Sequence, residues 1–404
     1  MNNPLLNPDI LQWPYPTISR LQKSQLFYCD QLGGYVVTRY HQVREALSHP
    51  LLIAGGLDDQ VYNILGEQFE LAKDYLRIRN KMMLHRDGAQ QARLRRPCLA
   101  AFSRKHIPKL SPIINQAIYE TMAELPLEGF DFCTQVAEPF STRVIAGLFG
   151  VPDSLRESFQ KDSDDVSRFF GSTMGDPVED AKIANQAICS LEKTFIKLIE
   201  QRPLGRMENL LDSFLALEQM GKLNRDEVIA QSILIMMAGH YTVIDQLSNS
   251  LFHLIDQGLW EKLSRRLDLL PNAIEETIRY DGGVLFMGRN ASKDFLWNGI
   301  ELKRGQTVFL GLGAANRDPS IFENPEKIDL FRQSNPHLGF GAGPHQCLGA
   351  ELGRYEMHSL LAQMIKSFPH LKIEKAKRKC ESLFFRGFYH IDLKVISPAD
   401  GQFH

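Results

Sequence analysis

Hydrophobic residues recur at helical spacing along most of this chain, and helical patterns dominate from about residue 86 onward. Three short segments, 34–38, 300–310 and 389–395, instead have the composition of β-strands. The pattern predicts a mainly α fold with small β-sheets, with a β-rich and loop region at 1–84 and a helical core at 85–404. Since no linker, repeat or low-complexity stretch divides the chain, we expect a single domain over 1–404.

The longest helical pattern starts after Asn224, a favourable N-cap residue, and runs to Gly258. Glu227 falls in its first turn, where acidic side chains are favoured. Because residues 228–238 are apolar on nearly all sides, we expect this helix to be buried through the middle of the molecule. Gly239 at its centre costs roughly 1 kcal/mol relative to alanine, and alone it indicates only a weak point in a core helix.

Composition narrows the class of protein without deciding the function. The 404 residues are 44% hydrophobic and 23% charged, which suits a globular chain with an extensive core. A net charge of −2 carries no signature of nucleic-acid binding. The six cysteines have no framework spacing, as expected in a reducing compartment. The start of the chain lacks the pattern of a signal peptide, and no apolar run of about 20 residues is evident, so we expect a cytoplasmic protein without a membrane span.

Candidate chemistry is concentrated at residues 340–349, which read Phe-Gly-Ala-Gly-Pro-His-Gln-Cys-Leu-Gly. Cys347 immediately precedes a helical pattern at 348–368. A thiolate there faces unpaired N–H groups and the positive end of the helix dipole, so its pKa is expected to fall and it can bind a metal. Gly341 and Gly343 allow positive φ angles and the close approach of a bulky group.

Other interpretations fit parts of this segment. A lone buried cysteine is usually inert packing. The Gly-x-Gly string resembles part of a dinucleotide loop, but it follows no clear strand and lacks a suitable acidic residue downstream. A zinc site would use His337, His345, Cys347 and His358, but their spacing matches no common zinc pattern and leaves the glycines unexplained. Phe340 suits a metal-bound thiolate instead, because an apolar shield against water tunes a metal's potential.

The segment 340–349 resembles the haem-binding loop of the cytochrome P450 superfamily, in which the cysteine is the axial iron ligand. The resemblance implies the cytochrome P450 fold, a triangular single domain that encloses haem b between the long helix and the helix after Cys347. It also implies a set of cofactor-binding residues, with Cys347 as the metal ligand. These residues are Arg95, Gln91, Arg289, Phe340, Gly341, His345, Cys347 and Gly349.

Two propionates of the haem need cationic or hydrogen-bonding partners once they are buried. The match to the family's motifs assigns His345, Arg289 and Arg95 as these partners. Gln91 stands where many relatives have histidine, and its amide can still donate to a propionate.

Residues 238–242, Ala-Gly-His-Tyr-Thr, resemble the helix that passes over the oxygen-binding face of the haem. The resemblance implies that Gly239 leaves room for dioxygen and that the Thr242 hydroxyl bonds to bound oxygen. The family usually has Asp or Glu before this threonine as a proton relay. This chain has Tyr241, and a phenol with a pKa of about 10 is a poor relay at neutral pH. The replacements left open are water with Thr242, His240, Asp245 and a polar group of the substrate.

Glu276 and Arg279 lie three residues apart on one face of a helical pattern. Taken alone, they indicate a surface ion pair of little consequence for stability. The resemblance implies an internal pair that locks the core near the cysteine loop, with a third basic partner in Arg332 or His337.

The family alignment also implies a substrate pocket and a turn at 386–387, Arg-Gly, that approaches it. The implied pocket residues are apolar or aromatic, and such clusters are more often plain core. They are Val284, Leu285, Phe286, Met287, Phe388 and Tyr389.

The resemblance implies a haem-thiolate monooxygenase that activates dioxygen to oxidise a small organic substrate, free or tethered to a carrier, with a preference for specialised metabolism. Electrons are expected from a ferredoxin and its NAD(P)H-ferredoxin reductase. Tyr241 favours one alternative, non-monooxygenase chemistry such as peroxide-driven oxidation, oxidative coupling or rearrangement. A second alternative is a non-catalytic haem-binding protein.

Overall fold

The computed structural model describes residues 7–21, 26–103, 105–171, 175–202 and 208–396. Residues 1–6, on which the prediction of no signal peptide partly depends, lie outside that range. The helices are α1 (Pro8–Gln12), α2 (Tyr15–Leu21), α3 (Tyr40–Ser48), α4 (Leu57–Leu65), α5 (Lys73–Arg79), α6 (Gly88–Ala101), α7 (Ile107–Ala123), α8 (Glu138–Phe149), α9 (Arg156–Gly171), α10 (Pro177–Glu200), α11 (Leu210–Gln219), α12 (Arg225–Asp256), α13 (Trp260–Arg265), α14 (Leu270–Tyr280), α15 (Leu312–Ala315) and α16 (Ala350–Ser367). The strands are β1 (Phe27–Cys29), β2 (Gly34–Val37), β3 (Leu52–Ile53), β4 (Gly129–Asp131), β5 (Phe286–Ala291), β6 (Phe295–Trp297), β7 (Ile300–Leu302), β8 (Thr307–Gly311), β9 (Leu371–Arg378) and β10 (Phe388–Val395).

The central helix α12 begins and ends close to the predicted limits. The Asn224 side chain accepts from the Glu227 N–H, and the Glu227 carboxylate accepts from the Asn224 N–H, which forms a capping box. Beyond its end, Gly258 takes a positive φ of 65°. The helix packs against α8, α9, α10, α14 and α16, so it lies in the middle of the core.

Among the described helices, α12 is the one that is long and apolar enough to cross a membrane, judged by length and hydropathy alone. This finding corrects the expectation that no such segment exists. Most of the apolar stretch of α12 is buried within the protein, as in the core helix of a globular fold. The hydropathy of α12 is thus accounted for by its neighbours in the core.

The strands form a five-stranded sheet in the order β1-β2-β8-β5-β3, a three-stranded sheet β4-β10-β9 and the hairpin β6-β7. The predicted strand 300–310 is two strands, β7 and β8, because a turn containing Gly305 with φ of 80° separates them. The predicted strand 389–395 is β10, which begins one residue earlier. The turn after β9 and the segment before β5 both reach the centre of α12, where Lys379 pairs with Asp245 and the Gly283 N–H donates to Gln246.

The first 84 residues are not the β-rich and loop region that we expected. They contain α1 to α5 and short strands of two to four residues. Helix α3 shows the signal that was overlooked, since its buried residues are Tyr40, Val43, Ala46 and Leu47, spaced as on one face of a helix. This nine-residue helix has too few turns for that periodicity to stand out in the sequence.

A buried carboxylate, Asp281, ties the N-terminal segment to the turn between β9 and β10. Its oxygens lie 2.5 Å from Arg386 Nε and 3.0 Å from an Arg378 Nη atom. The Tyr15 hydroxyl donates to it at 2.7 Å. Although burial acts to raise the pKa of Asp281, the two arginines hold that pKa well below its ordinary value. This network fixes the turn that reaches α12.

Candidate active site

The cysteine loop is shaped by its glycines and closed by its own backbone. Gly341 and Gly343 take φ of 68° and 71°, and the Cys347 N–H donates to the Phe340 carbonyl at 2.8 Å. A Cβ atom on Gly343 would lie 2.5 Å from Ser48 Oγ, so a larger residue there would push the loop away from α3. The loop is thereby held in place just before α16, which begins shortly after Gly349.

Cys347 combines an exposed side chain with a surrounding shell of protein atoms, as expected for a group that lines an internal cavity. Burial raises the pKa of its thiol, and this outweighs the lowering by the Gly349 N–H and by Arg95 and Arg354. The predicted lowering of the pKa is therefore wrong for the protein without a metal. A bound cation reverses the balance, because a coordinating thiol is deprotonated outright.

Within the residues that the structure describes, no His, Cys, Asp and Glu side chains cluster as ligands for a metal ion. His337 lies 2.9 Å from Glu275, and His345 lies 3.1 Å from Asp87. Two of the histidines that a zinc site would use are therefore hydrogen-bonded to carboxylates instead.

The middle of α12 opens on a space inside the protein. Residues 228–237 and 244–251 of this helix are buried, whereas Ala238 is exposed and Tyr241 and Thr242 are partly exposed. Because α12 lies in the core, exposure at its centre indicates a cavity. The exposed thiol of Cys347, which precedes another core helix, is a second such opening.

Arg289 on β5 is a buried cation with an unused donor. Its side chain is 3% exposed, one Nη atom donates to the Gly288 carbonyl at 2.8 Å, and Nε has no partner among the described residues. Burial lowers the pKa of Arg289, against a smaller raising effect of Asp87. Since an uncompensated buried charge is costly, the site is suited to an anion such as a propionate.

Helix α6 brings two predicted cofactor residues to the cysteine loop. Gln91 donates to the Pro344 carbonyl and Arg95 to the Gln346 carbonyl, each at 2.6 Å. Burial lowers the pKa of Arg95, while the nearby Cys347 sulfur acts to raise it. The side of the loop next to Cys347 therefore carries cationic and amide donors, as a dianionic cofactor requires.

Glu276 and Arg279 on α14 form an internal pair with no exposed surface, 2.7 Å between Nε and Oε1. Arg332 is their third partner, with its Nε 2.7 Å from Glu276, whereas His337 turns to Glu275. The Arg279 guanidinium also donates to the carbonyls of residues 316, 325 and 327. This triad therefore holds the segment that leads into the cysteine loop.

Thr242 donates its hydroxyl to the Ala238 carbonyl at 2.6 Å, one helical turn earlier. Gly239 has a packing role. A Cβ atom there would lie 2.8 Å from Ile145 Cδ1, so the glycine lets α8 approach α12. The small residue that faces the cavity is Ala238.

Tyr241 stays a neutral phenol at neutral pH. Burial raises its pKa to about 12, with a further contribution from Asp245 and an opposing one from Lys379. Lys379 lies in the turn after β9, with its Nζ 2.9 Å from Asp245 Oδ1 and 4.4 Å from the centre of the Tyr241 ring. No sequence spacing pointed to Lys379, because it meets α12 only through the tertiary fold.

The side chains that were named as replacements for the missing acid differ in their surroundings. His240 contacts Ser141 Oγ at 3.2 Å and lies 3.8 Å from Asp164, so it faces α8 and α9. Burial lowers the pKa of His240 to about 4. Asp245 has no exposed surface and is tied to Lys379.

The predicted pocket residues separate into two groups. Val284 and Met287 are partly exposed, and Val284 is bridged to Phe385, whose ring meets that of Tyr241 edge-on at 5.7 Å. In contrast, Leu285, Phe286 and Phe388 are at most 2% exposed. We therefore correct these three to core residues.

Phe388 and Tyr389 illustrate why the alignment misled. The register of β10 against β9 is irregular between Phe388 and His390, which leaves Tyr389 unpaired at the surface while Phe388 points into the core. Phe388 packs on Phe252 with ring centres 4.6 Å apart, while Tyr389 is 37% exposed beside Lys377. The nearby turn does approach α12, since a Cβ on Gly387 would lie 2.0 Å from Asp245 Oδ1.

The family model described as Cytochrome P450 matches residues 256–389, which include the cysteine loop. The polyketide biosynthesis cytochrome P450 PksS of Bacillus subtilis (strain 168) is 32% identical over 321 residues, 78% of this chain and 77% of that protein. The biotin biosynthesis cytochrome P450 of the same strain is 29% identical over 385 residues, 93% and 94% of the two chains.

Among solved structures, P450BioI in complex with a hexadec-9Z-enoic acid ligated acyl carrier protein superposes with a TM-score of 0.85 at 27% identity, covering 96% of this chain and 99% of that one. CalO2 gives a TM-score of 0.87 at 25% identity, covering 99% of each chain. The predicted fold is therefore confirmed. Because the likeness to PksS extends over three quarters of both chains and the family model spans the loop with Cys347, this chain belongs to the cytochrome P450 family of haem-dependent monooxygenases.

Proposed function

We propose that this protein is a cytoplasmic, haem b-dependent monooxygenase that oxidises a small organic substrate of specialised metabolism. The observation that carries the proposal is the cavity indicated on both sides, by the exposed stretch of α12 at Ala238 and by the exposed thiol of Cys347. A relative named for polyketide biosynthesis supports the substrate class. A solved structure with an acyl carrier protein supports a substrate that is tethered to a carrier.

Cys347 would hold the haem iron, and Arg289, Arg95 and His345 would bind the propionates, with Gln91 as an additional donor. When bound, a thiolate-ligated haem supplies dioxygen activation, since the thiolate favours cleavage of the O–O bond. The Arg289 Nε donor, which has no partner among the described residues, and the exposed thiol of Cys347 support these roles.

The chain's own residues would shape the space above Cys347. Thr242 can turn its hydroxyl from the Ala238 carbonyl to a water molecule in the cavity, because a hydroxyl rotates freely. Val284, Met287 and Phe385 would supply apolar contacts that orient a substrate and exclude water. Electrons would come from a ferredoxin and its NAD(P)H-ferredoxin reductase, docked near the arginines of α6.

Turnover with isotopically labelled dioxygen tests this proposal. The haem-loaded protein would be combined with ferredoxin, reductase and NAD(P)H, with hexadecenoic acid offered both free and linked to an acyl carrier protein. We expect products that contain one labelled oxygen atom, and a preference between the two substrate forms would identify the delivery mode. Product that forms only with added peroxide and carries no label from dioxygen would favour the non-monooxygenase chemistry instead.

Replacing Arg289 with methionine should weaken haem retention. A charge-assisted hydrogen bond contributes about 1.5–3 kcal/mol, so haem transfer to excess apomyoglobin should become about 10- to 100-fold faster. Arg304→Met is the matched control, because Arg304 is an exposed arginine near the same sheet. Equal haem-loss rates for the two variants would contradict the role of Arg289.

A further inference from the structure

We propose that Arg386 is a positioning residue for the substrate site, and that through it the N-terminal segment 7–15 determines where Phe385 stands in the pocket. The inference rests on the proposed function, in which Phe385 supplies part of the apolar wall that contacts a substrate. It adds to that function the residue and the chain segment that hold this wall in place.

Phe385 lies in the turn between β9 and β10, beside the middle of α12. Its ring meets that of Tyr241 edge-on at 5.7 Å, and its backbone is bridged to Val284. All three residues are partly exposed although α12 is a core helix, as expected for side chains that line the space next to Thr242. The position of Phe385 therefore bears directly on the shape of that space.

The side chain of Arg386 uses each of its three nitrogen atoms. Nε lies 2.5 Å from Asp281 Oδ1, one Nη atom donates to the Leu11 carbonyl at 2.6 Å, and the other donates to the Gln12 carbonyl at 2.8 Å. The guanidinium is planar and its donors have fixed directions, so three acceptors bound at once leave it a single orientation. Arg386 thus joins the N-terminal segment to the turn.

The backbone of Arg386 is anchored as well. Its N–H donates to the Gly283 carbonyl at 3.0 Å, and its carbonyl accepts from Asn249 Nδ2 at 2.8 Å. Gly283 lies before β5 and Asn249 lies on α12, so the turn is held from two directions. Because Phe385 is the covalent neighbour of this anchored residue, a displacement of Arg386 moves Phe385 with it.

The N-terminal segment is itself fixed in the fold. Tyr15 is buried and donates its hydroxyl to Asp281 at 2.7 Å, the same carboxylate that Arg386 binds. The centre of a Trp13 ring lies 4.9 Å from Arg317 Cζ and 5.6 Å from Arg386 Cζ, close enough for cation–π attraction to both. A segment held in this way can set the position of the residue that it binds.

Stability alone does not account for this arrangement. Arg378 and Arg386 both bind Asp281, at 3.0 and 2.5 Å, so two largely buried cations share one carboxylate. Buried charges are costly to desolvate, and an apolar group of similar volume is often at least as stabilising. What Arg386 supplies, and an apolar side chain cannot, is a defined geometry for the turn.

Two ligands of different size can test the inference without turnover. Imidazole and 4-phenylimidazole both bind haem iron through a nitrogen atom, but only the second carries a phenyl ring that needs the apolar wall. Titration of the ferric holoenzyme, followed by the shift of its Soret band, gives the dissociation constant for each ligand.

The wild type should prefer 4-phenylimidazole over imidazole. Arg386→Lys should lower that preference about fivefold, the loss expected for one aromatic contact. Lysine keeps a positive charge beside Asp281, but its compact ammonium cannot span the three acceptors of the guanidinium. The variant therefore loosens the turn without leaving a carboxylate uncompensated.

A double-mutant cycle shows whether Arg386 acts through Phe385. Phe385→Ala should lower the preference for 4-phenylimidazole by a similar factor, because the ring of the wall is gone. Adding Arg386→Lys to Phe385→Ala should then change nothing further, since the ring that Arg386 positions is absent. Fully additive effects would mean that the two residues act independently, and would overturn the inference.

Tyr15→Phe tests the contribution of the N-terminal segment. It removes one hydroxyl from Asp281 and should lower the preference in the same direction, about twofold. Arg317→Lys is the matched control, because Arg317 is a buried arginine over rings of the same segment but donates to the Tyr280 carbonyl. It should leave the preference unchanged, and a loss as large as that in Arg386→Lys would point to general loosening and overturn the inference.

A failure to fold would not hide the answer. If Arg386→Lys does not bind haem, Tyr15→Phe carries the test, because it removes only one hydroxyl group. An unchanged preference in whichever of the two variants binds haem, or the lack of any preference in the wild type, would overturn the inference. A wild type without the thiolate-type carbon monoxide spectrum would instead count against the proposed function.

Discussion

Cys347→Ser is expected to abolish the red-shifted Soret band that reduced, carbon-monoxide-bound protein shows when a thiolate binds haem iron. Serine keeps the volume of the side chain but its alkoxide is not available at neutral pH, so the strong axial donor is lost. Monooxygenase turnover should fall to background in the same variant. Difference spectra of the reduced protein with and without carbon monoxide provide the measurement.

The remaining cysteines supply matched controls for this prediction. Cys98 and Cys133 are buried, and burial raises the pKa of Cys98 to about 12, so neither is prepared to bind a metal. Cys189 is partly exposed on α10. Cys98→Ser, Cys133→Ser and Cys189→Ser should therefore retain the thiolate-type band. If all four variants kept that band, Cys347 would not be the ligand.

Glu276→Gln should lower the free energy of unfolding by about 3–5 kcal/mol. The carboxylate lies between Arg279 and Arg332 with no exposed surface, so its loss leaves two guanidinium groups without their counter-ion. Chemical denaturation of the holoenzyme, followed by circular dichroism, measures the change. Because the triad holds the segment before the cysteine loop, haem release should begin at lower denaturant than in the wild type.

An exposed ion pair tests whether burial is the reason that Glu276→Gln destabilises the protein. Arg266 and Asp268 are 2.7 Å apart, a similar distance, but both side chains are more than half exposed. Asp268→Asn should leave the denaturation midpoint unchanged, because exposed ion pairs contribute little. A midpoint for Glu276→Gln as high as that for Asp268→Asn would show that the internal triad does not stabilise the fold.

Local patterns predicted the central helix well. The limits of α12 follow from an N-cap, a capping-box partner and a terminal glycine, which are interactions within a few residues of the chain. The cysteine loop is equally local, since its glycines adopt the positive φ angles that their residue type allows. The first helices were missed because short amphipathic segments such as α3 carry too few turns for their period to stand out.

The properties of the candidate site that depend on contacts between distant segments were not predictable in this way. Gly239 serves the packing of α8, which only the meeting of two helices reveals. The pKa of the Cys347 thiol is raised because protein atoms from distant segments surround it and desolvate it, although its position before a helix suggested the opposite.

Residue types and short-range spacing were enough to predict the family, the loop that presents Cys347, the helix that crosses the core and the loss of an acid at Tyr241. Contacts between distant segments bring Lys379 and Asp245 to Tyr241, add Arg332 to the pair of Glu276 and separate core residues from pocket residues, and none of these is visible in the sequence. The physical reason is that burial and electrostatic interaction depend on distances in space, which sequence separation does not set.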